Sequence, residues 1–129
     1  MAKRIASIVF LLTGLAIGLG AFGHDSNARN LAEEFAKVPA LDANVVLIVN
    51  AVWHFCSGCM LVFGMVIVWT WLRAHRGERA IFFASDVIGV FYVLTGVVSV
   101  LYTGKPFFWL LFVLGALLLA TSFVLRAVK

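Results

Sequence analysis

Residues 45–72 read VVLIVNAVWHFCSGCMLVFGMVIVWTWL, twenty-eight positions without one Lys, Arg, Asp or Glu. An uncharged run of that length is read as a helix crossing a membrane, because about 20 apolar residues suffice for a hydrocarbon core about 30 Å thick. Three further apolar runs share its character: Ile5–Phe22, Ala80–Tyr102 and Pro106–Leu125. Backbone groups in lipid must be satisfied within the protein, which leaves helices or the strands of a closed barrel. Barrel strands need only about ten residues of alternating polarity, whereas these runs are about twice that and uniformly apolar. The reading is therefore an all-α integral membrane protein, an antiparallel four-helix bundle forming one domain over residues 1–129.

Composition agrees. The chain is 64% hydrophobic and only 12% charged, with a mean hydropathy of +1.08, where soluble domains carry roughly a quarter charged residues. The net charge of +4 calls for no nucleic acid, because its location explains it. Lys3 and Arg4 precede the first span, Arg73, Arg76 and Arg79 fill the second connection, and Arg126 and Lys129 follow the fourth. By the positive-inside rule this puts both termini and the 73–79 turn in the cytoplasm. The same turn is suited to anionic lipid headgroups. The alternative for the start of the chain, a cleaved secretory leader ending near Ala21 and Gly23, conflicts with the length of the apolar run and with the four-span topology.

The only sizeable polar connection is the outer loop, residues 23–44. Leu31, Phe35 and Val38 recur at i, i+4 and i+7, which predicts a short amphipathic helix lying at the interface. Asp25 or Ser26 is the expected cap and Pro39 the expected stop. On the first span Gly14 and Gly18 form a GxxxG pair, and on the third Gly89 and Gly96 lie seven apart; both spacings allow close helix approach. Asp86, the one acid within a span, is expected to form a structural ion pair with Arg79, with Arg76, Arg126, Thr121 and Ser122 as further candidate partners.

The long run also holds the candidate site. Counting about 20 residues back from the inner anchors Trp69, Trp71 and Arg73 arrives near Trp53 and His54, and counting forward from Arg4 arrives near His24. Two imidazoles at one height on neighbouring helices could share a metal, a haem or a proton. Asn50, His54 and Ser57 share one stripe of the helix, which is polar enough to turn inward. Asp25 is the nearby carboxylate, placed to orient His24. Cys56 and Cys59 point roughly 140 to 200 degrees away from His54 at about 100 degrees per residue. A zinc site built from His-x-Cys-x-x-Cys therefore fails, and two buried-type cysteines form no disulfide framework.

Taken with GAFGH at the end of the first span, VWHFCSGCMLVFG in the second and YTGKPFFWLLFVLGALLL through the fourth, the pattern resembles small bacterial four-span membrane proteins, distantly DoxX-like, with a Gly-x-x-His closing helix one and a Trp-His early in helix two. The resemblance implies a bacterial inner-membrane location and the joint importance of His24 and His54, and it lends no activity.

Two functional readings follow. The first is an outward-facing pocket lined by His24, Asn50, Trp53, His54 and Ser57 that binds a metal ion, haem or a small apolar ligand such as a quinone, with His24 and His54 as the metal ligands. The second is a non-catalytic structural or accessory subunit that sits in the bilayer and assembles with another membrane protein or with copies of itself. No nucleophile, base and acid come together in the sequence, so it points away from an enzyme.

Overall fold

The computed structural model describes residues 1–38, 41–78 and 82–127. The described residues form five α-helices: α1 (Ala2–Ser26), α2 (Ala28–Ala36), α3 (Ala43–His75), α4 (Phe83–Thr103) and α5 (Trp109–Ala127), with a 3₁₀ turn at Pro106–Phe108 leading into α5. Among the described residues four helical segments are long and apolar enough to cross a membrane, as the sequence predicts. α1 and α3 run a few residues past their apolar runs at both ends, while α4 and α5 start three residues inside theirs and end one or two residues beyond. α3 is the longest, and 33 residues at about 1.5 Å each give roughly 50 Å.

Two of the helix ends have a visible local cause. Asp42 caps α3, its side chain accepting from the Asn44 backbone N–H at 2.7 Å. Gly104 closes α4 in the left-handed conformation, φ 68°, with its N–H on the Val100 carbonyl, a conformation that costs glycine nothing. α1 runs on through Asp25 and Ser26, so neither residue caps the following helix. That position falls to Asn27, which makes no side-chain cap bond to the backbone. Leu31 and Phe35 of α2 are half-buried, while Val38 is exposed. Pro39 and Arg79 lie outside the described residues.

The four long helices form a ring in chain order α1, α3, α4, α5, and α1 closes it against α5. Every neighbouring pair is antiparallel. The α1–α3 and α4–α5 contacts are extensive, α1–α5 is intermediate, and α3–α4 is much the smallest. Phe10, Ile17, Ile67 and Leu118 are fully buried between them.

In lipid, apolar burial alone does not drive helices together, so packing density and polar contacts must. Both operate here. Gly18 lies against Gly64: a Cβ on Gly64 would stand 2.5 Å from the Gly18 nitrogen and 2.8 Å from the Gly14 carbonyl oxygen. On the other side a Cβ on Gly115 would stand 2.5 Å from the Gly89 carbonyl oxygen. The predicted small-residue seams are thus internal, α1 to α3 and α4 to α5, and are not free for a partner. Polar contacts add to them. Ser85 Oγ donates to Thr70 Oγ1 at 3.3 Å between α3 and α4. Asp86 on α4 accepts from Ser122 Oγ at 2.6 Å and pairs with Arg126 at 2.8 Å, both on α5. These two take up both oxygens of the acid for which Arg79 is the sequence-based partner.

Candidate functional site

The candidate residues meet where α1 ends beside α3, at the end of the bundle opposite the chain termini. Three of them form a closed polar circuit. The Trp53 indole N–H donates to the His24 carbonyl at 2.8 Å. His24 Nδ1 lies 2.9 Å from Ser57 Oγ, and the Ser57 hydroxyl donates to the Trp53 carbonyl at 3.2 Å. The rings of His24 and Trp53 stack, with centroids 4.1 Å apart and planes 15° from parallel. The serine and tryptophan are four apart on α3, so one helical turn presents both to the last turn of α1.

His54 is engaged elsewhere. Its Nδ1 lies 2.6 Å from Asp25 Oδ1, with the two side chains 58% and 48% exposed. Asp25 therefore orients His54, not His24. The hydrogen bond from His54 is the main reason the Asp25 carboxyl, beyond the apolar run of α1, is held below its usual value, with desolvation opposing. Burial beside Trp53 lowers His24, and the charge of Asp25 opposes that. Asn50 is half-buried one turn before His54. Cys56 and Cys59 are free thiols, the first exposed and the second half-buried.

This geometry overturns the metal and haem reading. Among the described residues no three His, Cys, Asp or Glu side chains come together in a way that could hold a metal ion. Neither a hydrogen bond nor a ring contact joins the two imidazoles, and their Nδ1 atoms go to different partners. The reason is rotational. His54 follows Trp53 by about 100 degrees of helix, so the turn that lays Trp53 on His24 swings His54 toward Asp25. The pocket for a metal, haem or quinone between His24 and His54 is accordingly withdrawn, and so is the notion of a histidine pair.

What remains is a clasp: three hydrogen bonds and one ring stack that tie the end of α1 to the first half of α3. Trp53→Phe keeps an aromatic ring over His24 and deletes only the N–H to carbonyl bond. It is expected to cost about 1 kcal/mol of unfolding free energy, read by thermal denaturation in detergent. Trp53→Ala, which also removes the stack, is expected to cost more.

Sequence reasoning missed Gly64, the mate of the Gly14/Gly18 pair, and the Trp71–Ser7 hydrogen bond, 2.9 Å, at the end bearing the termini. His75 stacks on that same Trp71, with centroids 4.9 Å apart.

No family model, no curated protein and no solved structure matches this chain. The resemblance to DoxX-like proteins is therefore carried no further than its coarse content, a bundle of four long apolar helices suited to a multi-span membrane protein.

Proposed function

We propose that the protein is a non-catalytic structural or accessory subunit that assembles with another membrane protein, in a bacterial inner membrane with both termini in the cytoplasm. The observation that carries this is the state of α3. Its most apolar 18-residue stretch is 6% buried, against 39%, 28% and 22% for the other three membrane-crossing helices. Apolar exposure alone would be answered by lipid. The first half of α3, however, also leaves His54, Cys56 and Gly58 uncovered, and polar or small groups on a membrane helix are used where another helix packs. The α3–α4 contact is much the smallest among the long helices, which leaves room beside α3 for a helix of another protein. Basic residues at the terminal end support the orientation.

The test places a photoactivatable phenylalanine analogue at Phe55, which is 71% exposed on α3. Irradiation of native membranes is expected to give one dominant adduct with a different membrane polypeptide, identified by mass spectrometry. The same probe at Phe123, 67% exposed on α5, should give lipid adducts alone. If the Phe55 probe also captures nothing but lipid, and the protein extracted in mild detergent has the mass of a single chain, the assembly reading is wrong.

A further inference from the structure

The hydroxyls of the four long helices fall into two groups. In the half of the bundle nearer the termini they are bonded: Thr13 and Thr121 donate to carbonyls one turn back, Ser85 donates to Thr70, and Ser122 donates to Asp86. Further out, α4 breaks the pattern. Tyr92, Thr95 and Ser99 recur at i, i+3 and i+7, along one face of the helix, and none of their hydroxyls makes a hydrogen bond among the described residues. Tyr92 is only 4% exposed, and Thr95 and Ser99 are half-buried. A buried hydroxyl without a partner carries its whole desolvation cost, and within lipid no water offsets it. Three of them on one face call for a group that the chain itself does not supply.

The register of α3 against α4 places that group. Ser85 and Thr70 bond across the pair, and seven residues outward on each helix Tyr92 meets Phe63 edge to face, with centroids 6.4 Å apart. Phe91 meets the same Phe63 at 5.8 Å. Thr95 lies about one turn past these rings, level with Cys59, which is half-buried one turn beyond Phe63 on α3. Cys59 is also within electrostatic range of Tyr92. The polar face of α4 therefore turns toward the outer half of the α3–α4 cleft, where the contact between neighbouring long helices is smallest. The rims of that cleft are exposed and apolar, Phe55 and Val62 on α3, Phe91 and Val98 on α4.

We propose that the partner enters this cleft with one membrane helix, apolar on its flanks and carrying a hydrogen-bond acceptor, an Asn, Gln or Ser side chain, at the level of Tyr92 and Thr95. This rests on the assembly reading and adds where, and by what chemistry, the partner binds. Lipid tails would cover the rims, but they have no acceptor for the hydroxyls, whereas a polar side chain on a neighbouring helix does.

The experiment places the photoactivatable phenylalanine analogue at Val98, which is 61% exposed and follows Phe91 by seven residues on the same face of α4. Irradiation of native membranes is expected to join this probe and the Phe55 probe to the same polypeptide. With the Phe55 probe, in membranes diluted with added lipid so that binding is below saturation, Tyr92→Phe and Thr95→Val should each lower the adduct yield about threefold, the value of one hydrogen bond between membrane helices. On the full chain alone in detergent the same two substitutions should leave the thermal midpoint in place or raise it, because no internal bond is lost. Thr70→Val, which loses the bond from Ser85, should lower it. A protein adduct at Phe55 with lipid alone at Val98 would overturn the cleft and leave the assembly reading standing. Variants of Tyr92 and Thr95 that bind as wild type does, or that lower the midpoint as Thr70→Val does, would also overturn it. Lipid alone at both probes would remove the assembly reading and this inference with it.

Discussion

Gly64→Val is expected to cost about 3 kcal/mol of stability in detergent, at the upper end of what overpacking usually costs. The added carbon would meet the nitrogen of Gly18 and the carbonyl oxygen of Gly14. Both are backbone atoms, which have no rotamer in which to retreat. α1 and α3 would have to separate, and with them the clasp formed by Trp53, His24 and Ser57. Gly58→Val is the control on the same helix: nothing lies within 4 Å of its would-be Cβ, and valine suits a helix slightly better than glycine does. Chemical unfolding monitored by tryptophan fluorescence should show a large loss for the first variant and none for the second. Equal behaviour of the two would mean that the α1–α3 seam is not where the bundle is held.

The second large effect is expected at Phe10. Its side chain is fully buried and meets the edge of Phe82 at 5.7 Å between centroids, with planes at 81°. Phe10→Ala is expected to cost about 2–3 kcal/mol, from a void on the order of 100 Å³ at roughly 24 cal/mol per Å³. The full range for soluble cores does not apply. An unfolded helix in the bilayer already has its phenylalanine among hydrocarbon tails, so the transfer part of the loss falls away. Leu12→Ala, at a position 57% exposed on the same helix, should cost well under 1 kcal/mol for the same reason. The pair of variants separates packing from hydrophobicity, which in water they could not do.

The architecture was legible because it depends on quantities that composition carries: the length of the uncharged runs, the placement of Lys and Arg, and the repeat of Leu31 and Phe35. The seams were half legible. Gly14 and Gly18 announce a close approach by their spacing, but the mate is chosen by where two helices cross, and nothing local marks Gly64 for that role. Depth was also readable, since counting from Trp69 and from Arg4 brings Trp53 and His24 to one level, where the structure stacks them. Rotation was not. A single residue of helix separates Trp53 on His24 from His54 on Asp25, and a count of residues along the axis contains no angle. The Asp86 contacts show the same limit in milder form: its neighbours on α5, Ser122 and Arg126, were among the candidates by depth, but the choice among them rests on side-chain geometry.

The pairing of the helices has a consequence for biogenesis. Both glycine seams join helices that follow one another through the membrane, so each half of the chain can zip into a helical hairpin as soon as its second helix has been inserted. The α1–α5 contact, by contrast, joins helices separated by the rest of the bundle, and it cannot form until α5 has followed the other three into the membrane. Two preassembled hairpins that meet late leave the first of them waiting in the bilayer with one side of α1 bare. A chaperone or insertase that shields α1 during this interval would act before any partner on α3 is engaged.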